Sequence, residues 1–212
     1  MEAFLEGRLP LVAILRGLEP DRAADVGELL VDCGFDILEV PLNSPEPMQS
    51  IARLVAAVGD RALVGAGTVL TEREVDHLHS IGAGLVVAPN CNTRVIARSA
   101  SLGLVTLPGV FTPTEMFAAL DAGASGLKIF PAEMVAPAVI TAVRAVLPPT
   151  TAIFAVGGIE AANMQAFLAA GAVGFGIGGA LFRPGKPLYA VAADARALVE
   201  AYRAARSAAS TG

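Results

Sequence analysis

Short, almost wholly apolar runs alternate along this chain with longer stretches spaced as amphipathic helices, and this alternation limits the folds open to it. Strands are expected over residues 11–16, 36–40, 62–68, 85–88, 104–107, 125–129, 152–156 and 173–177. Helices are expected over 21–33, 46–58, 71–81, 92–102, 113–122, 137–146, 160–170 and 187–206, several of them opened by Thr, Asn, Pro or an early Glu. Five helix-to-strand joints carry a glycine, at Gly34, Gly82, Gly103, Gly123 and Gly171. Glycine there supplies a left-handed C-cap and a tight return to the next strand. All-apolar strands joined through helices require a parallel sheet covered on its outer face. Eight such units predict α/β architecture closed into a (β/α)8 TIM barrel, one domain over residues 1–212. An open doubly wound sheet is the alternative, weakened by the lack of GxGxxG after the first strand.

Composition narrows the partners. The net charge is −5 and the arginines are scattered, which disfavours nucleic acid or an anionic membrane but leaves room for a small anionic ligand in a locally positive site. Although 54% of the residues are hydrophobic, no apolar run approaches the 18 or so residues that span a bilayer. The segment from Met1 to Arg8 carries acids and lacks a long apolar core, so it does not read as a secretory signal. Cys33 and Cys91 follow no disulfide or CxxC pattern; they read as small buried or surface thiols of a cytoplasmic protein. His77 and His79 fall in a polar helical stretch and read as a solvated face. No metal-ligand cluster or Ser-His-Asp pattern is evident, and neither a metal nor another cofactor is expected.

Only two of the fifteen basic residues are lysines. Lys186 lies in a polar turn, whereas Lys128 sits in the apolar run Gly126-Leu127-Lys128-Ile129-Phe130. A buried ammonium is costly unless paired or deprotonated, and lysine, unlike arginine, can lose its proton and act as a nucleophile. The period of two along a strand turns Leu127 and Ile129 toward the helices and Lys128 into the barrel. The same parity sends Glu39 inward, where it could form an ion pair with Lys128. Arg16, Thr68 and Pro89 stand at the C-terminal ends of the first, third and fourth strands, the end where barrels build their sites.

Two glycine clusters follow, Gly157-Gly158 after the seventh strand and Gly174 to Gly179 through the eighth. Exposed backbone N–H groups at those turns can hold a phosphate without a cationic side chain. A desolvated lysine condensing with a ketone, a carboxylate moving protons beside the imine and an anchored phosphate describe a Schiff-base lyase or isomerase acting on a small phosphorylated keto compound. Two other readings stay open: a sugar-phosphate isomerase with Lys128 as electrostatic stabiliser, and a non-catalytic phosphate-ligand binding protein.

Leu11 to Gly17, Glu39 to Pro45 (EVPLNSP), Gly65 to Val69 (GAGTV), Pro108-Gly109-Val110 with Thr112 to Glu115, Leu127 to Pro131 (LKIFP) and Gly157-Gly158-Ile159 run in order over nearly the whole chain. Together they resemble the 2-keto-3-deoxy-6-phosphogluconate and phosphogalactonate aldolases. The resemblance implies a metal-free class I aldolase on a (β/α)8 barrel, assembled as a homotrimer. It makes Lys128 the imine former and Glu39 the proton shuttle, with Arg16 and Thr68 at the pyruvate carboxylate, Pro89 lining the pocket, and Gly157, Gly158, Gly178 and Gly179 at the phosphate. Pro41, Asn43 and Val156 resemble the phosphogalactonate branch; the phosphogluconate branch typically has Thr, Arg and Thr there. The substrate implied is therefore 2-dehydro-3-deoxy-6-phosphogalactonate, with the C4 epimer as the alternative. Two departures stand out. Gly179 replaces a phosphate-contacting Ser, leaving that contact to backbone groups, and Phe111 replaces a small residue and is expected to narrow the pocket.

Overall fold

In the computed structural model, residues 3–209 are described; Met1 and Glu2 of the N-terminal segment discussed above and residues 210–212 lie outside them. Nine parallel strands form one sheet among the described residues: β1 Leu11–Ile14, β2 Ile37–Pro41, β3 Leu63–Gly67, β4 Leu85–Val87, β5 Val105–Leu107, β6 Gly109–Val110, β7 Leu127–Ile129, β8 Ile153–Val156 and β9 Gly174–Ile177. Their order is β5-β4-β3-β2-β1-β9-β8-β7-β6, so the two ends of the sheet are neighbours in the chain.

The expected eight strands become nine because Pro108, which has no N–H to give to a ladder, divides the fifth. The two pieces serve different neighbours, β5 pairing with β4 and β6 with β7. The ladder carries across the break, since the Lys128 N–H donates to the Pro108 carbonyl at 2.9 Å. The barrel therefore closes at Pro108, and the open-sheet alternative falls.

Among the described residues eight α-helices follow the strands, with none between β5 and β6: α1 Ala23–Asp32, α2 Pro47–Val58, α3 Glu72–Ser80, α4 Thr93–Ser101, α5 Pro113–Asp121, α6 Pro137–Arg144, α7 Met164–Ala169 and α8 Leu188–Ala209. Their starts follow the side chains. Thr71 with Glu74 and Thr112 with Glu115 form reciprocal capping boxes at α3 and α5, and the Asn92 side chain accepts from the Arg94 N–H at α4. The five joint glycines all hold positive φ, from 72° to 107°. The seventh helix begins later than the expected residue 160. Asn163 accepts from the Glu160 N–H and donates to the Gly158 carbonyl, an alternative backbone pairing that keeps residues 160–163 out of the helix. The first strand ends at Ile14 rather than Arg16, the chain turning away at Gly17 with φ 79°.

Strand parity sorts the core into two layers. Leu38, Val40, Leu127 and Ile129 pack outward against helical residues such as Leu30 and Leu54. Val12, Ile37, Leu85, Leu107 and Phe154 face inward and fill the barrel. Phe4 stacks on Phe154 and Leu5 joins the same cluster. Each fully buried side chain of this size contributes roughly 1.5–3 kcal/mol. The apolar filling desolvates any charge placed in the interior.

Candidate active site

Lys128 and Glu39 are the charged side chains set in that interior: 7% of Lys128 and 2% of Glu39 is exposed. Both line a small cavity with Val12, Val87, Leu107 and Phe154, so strand parity places them as expected. The ion pair that parity leaves open between them does not form: no contact within 4.0 Å joins the ammonium to the carboxylate. They sense one another electrostatically instead.

Burial is the main cause of both shifts in proton affinity. It holds the Lys128 ammonium below its ordinary range; Glu39 opposes this, and the like charge of Arg16 adds to it. The Lys128 Nζ also lies 4.6 Å from the centre of the Phe130 ring, a partner that gives cation–π attraction without accepting the proton. Burial pushes the Glu39 carboxyl up to about 7, against the attraction of Lys128 and Arg16 and a hydrogen bond from the Gly67 backbone. The Oε2 of Glu39 is buried with no hydrogen-bond partner, a cost of about 1–3 kcal/mol in the absence of a ligand or water. A carboxyl titrating near neutrality beside an amine that gives up its proton early can both take and return protons.

Gly67 makes room for Glu39. A Cβ built on Gly67 would overlap both carboxylate oxygens. Gly67→Ala is therefore expected to lower kcat by roughly 100-fold, since a misplacement of about 1 Å at a reacting group costs that much. Steady-state turnover with the melting temperature as a folding control checks it, and near-normal kcat in the folded variant would show that the carboxylate position is not critical.

The small cavity meets a larger cleft of 610 Å³ at Ile14, Val156 and Gly176, which line both. Arg16, Gly157, Gly158, Gly178 and Gly179 stand on the wall of this cleft, at the C-terminal ends of β1, β8 and β9. Gly157 and Gly158 both have positive φ, at 105° and 65°, and turns of successive backbone N–H groups are where anion-binding concavities form. Arg16 donates to the Asn43 side chain at 2.6 Å, and the Gly17 N–H donates to Ser44, so the EVPLNSP loop steadies the arginine.

Thr68 and Pro89 occupy the same end of the barrel, after β3 and β4, but line neither cavity. Thr68 nevertheless holds φ 58°, which costs a β-branched residue about 1–3 kcal/mol and marks positions fixed by their surroundings. Phe111 is 46% exposed and also lines neither cavity, so within one chain it does not narrow the pocket. Sequence reasoning did not single out Phe130, Gly67, the Asn43 bond to Arg16, or Arg183 in the cleft wall. Gly67 and Phe130 lie inside the GAGTV and LKIFP runs that carry the family resemblance, the one signal the sequence holds for them.

The profile of the family described as KDPG and KHG aldolase matches residues 4–194. The chain belongs to that aldolase family. It is 49% identical over 199 residues to 2-dehydro-3-deoxy-6-phosphogalactonate aldolase of Escherichia coli strain K12, covering 93% of this chain and 97% of that one. It is 32% identical to 2-dehydro-3-deoxy-phosphogluconate aldolase of Treponema pallidum strain Nichols, over 76% of this chain and 75% of that one. A solved structure described as native KDPGal superposes with a TM-score of 0.91 at 48% identity, covering 93% and 96% of the two chains. The barrel and the class of enzyme expected from the motifs agree with these likenesses.

Proposed function

We propose that this chain is a class I aldolase cleaving 2-dehydro-3-deoxy-6-phosphogalactonate to pyruvate and glyceraldehyde 3-phosphate. The observation that carries the reading is the buried pair in the small apolar cavity, Lys128 held toward its neutral form and Glu39 held near neutrality, opening on a glycine-walled cleft. Neutral Lys128 attacks the C2 ketone, and loss of water leaves the iminium. Glu39, directly or through water, takes the C4 hydroxyl proton. The C3–C4 bond breaks, its electron pair moves into the iminium to give an enamine, and the aldehyde departs. Glu39 returns a proton to C3, and hydrolysis of the imine frees pyruvate and the amine. Arg16 and Thr68 hold the carboxylate, Pro89 borders the pyruvate end, and the N–H groups of Gly157, Gly158, Gly178 and Gly179 receive the phosphate.

The galactonate epimer is favoured by Asn43 on Arg16 and by Val156, an apolar wall where the two cavities meet. We assign the activity to a single barrel domain spanning residues 1–212 and acting in the cytoplasm. No helix among the described residues is long and apolar enough to cross a membrane. A homotrimer is proposed on the family likeness, and exposed Phe111, Phe117 and Met134 offer apolar surface for it. Borohydride reduction with pyruvate, followed by peptide mapping, is expected to mark Lys128. An unmodified Lys128 in active enzyme would sink the mechanism, and a higher kcat/KM for the gluconate epimer would overturn the substrate assignment.

A further inference from the structure

Two cations, Arg16 and Arg183, line the cleft. Arg16 is near enough to Glu39 and Lys128 to bias the charge of both. Arg183 lies in the loop after β9, on the wall that Gly178 and Gly179 form. Its Nε donates to the Gly179 carbonyl at 3.0 Å. Its two Nη groups have no partner among the described residues. A Cβ on Gly179 would lie 3.8 Å from the Arg183 Nε and 3.9 Å from an Nη, so the guanidinium rests directly beside the residue that has lost its side chain.

The loop holding Arg183 is fixed from several sides. Lys186 Nζ donates to the Leu181 carbonyl at 2.7 Å and pairs with Asp194. Arg22 reaches the Lys186 carbonyl at 2.8 Å, and Pro184 packs so closely on Gly17 that a Cβ there would meet its ring. The second lysine of the chain thus braces this loop rather than merely decorating a turn. One carboxylate, Glu160, shares the cleft wall; it repels an anion and raises the need for an opposing cation.

We propose that Arg183 is the phosphate-binding side chain of this cleft, its free Nη fork contacting the phosphoryl dianion of the substrate and taking the place of the hydroxyl absent at Gly179. This goes against the expectation that backbone groups alone hold the phosphate, and it rests on the aldolase reading above. A planar fork with both Nη groups free matches the spacing of two phosphoryl oxygens, and charge-assisted pairs of this kind are about twice as strong as neutral ones. The loop bracing lowers the entropy lost on binding.

The test compares wild type with Arg183→Ala and Arg183→Lys on the phosphorylated substrate and on the same keto acid without its phosphate. Arg183→Ala is expected to raise KM for the phosphorylated substrate by roughly 10- to 100-fold with a much smaller change in kcat, so that the preference for it collapses, and Arg183→Lys to recover part of the loss. Inorganic phosphate, titrated calorimetrically into both proteins, should bind the alanine variant more weakly by a similar factor. Equal proportional losses on the two substrates, or unchanged phosphate affinity, would overturn the assignment. Calorimetry reads the phosphate site without turnover, whereas borohydride labelling reads Lys128, so failure here is distinguishable from failure of the aldolase mechanism. In Arg183→Ala, a second change of Gly179→Ser should restore phosphate affinity, because Gly179 has ordinary backbone angles and space for a side chain. If the serine restores nothing, the two positions do not share the ligand and the substitution argument is wrong.

Discussion

Lys128→Arg is expected to abolish cleavage, lowering kcat by at least about 10⁴-fold, the scale seen when a covalent nucleophile is removed. The charge is retained, so a loss of this size isolates nucleophilicity. A guanidinium stays protonated at any working pH and cannot attack a ketone. Only 7% of Lys128 is exposed, and burial is the largest influence lowering its proton affinity. Those conditions favour a neutral amine and handicap a permanent cation. If Lys128 served only to stabilise developing negative charge, as in the isomerase reading, arginine would keep turnover within about 10- to 100-fold of wild type. Pyruvate release from the six-carbon substrate measures the difference. Borohydride incorporation with pyruvate should vanish in parallel, while a melting curve shows whether the barrel tolerates the larger head group beside Phe130. Measurable turnover in a folded arginine variant would refute imine catalysis.

The features legible in the sequence share a cause: they follow from repeating geometry. Lys128 and Glu39 could be aimed inward because side chains alternate along a strand, and the joint glycines could be placed because each helix end needs the same left-handed residue. The capping threonines were readable for the same reason, since Thr71 and Thr112 each precede a Glu three residues on. Where periodicity ends, so does this reading. Arg16, Asn43 and Arg183 lie on turns or loops, and their side-chain directions depend on contacts between segments far apart in the chain, such as the 27 positions separating Arg16 from Asn43. Pro108 was visible, but that it splits one strand between two neighbours follows from how the sheet closes. Alignment of two inward residues likewise gives no distance, which is why parity leaves an ion pair open where the barrel holds Lys128 and Glu39 apart.

Glu39→Gln keeps the shape of the site and removes its proton carrier, with an expected fall in kcat of about 10²–10⁴-fold, the usual worth of a positioned acid–base group. Lys128 remains able to form an imine, so borohydride trapping of pyruvate should persist while turnover collapses. The pH dependence adds an independent sign. In wild type the base form of Glu39 appears as the pH rises through about 7, so its contribution to the acidic limb of kcat/KM lies there and is missing in the glutamine variant. Stability changes in the opposite direction. The carboxyl holds its proton more tightly in the folded barrel than in the unfolded chain, where it titrates near 4.5. Folded wild type therefore carries more protons between 4.5 and about 7, and the associated stability, fully present below 4.5, is lost as the pH rises through about 7. Glutamine has no such loss. Relative to wild type, the variant should gain on the order of 1–3 kcal/mol between pH 4.5 and pH 8, read as a difference in denaturant midpoints that cancels every other titrating group to first order. The gain would be smaller if Lys128, deprived of the carboxylate that favours its charged form, deprotonates further in the variant. A glutamine variant whose stability tracks wild type across this window would show that Glu39 ionises as freely in the barrel as in water, and the case for it as a proton carrier poised near neutrality would fail.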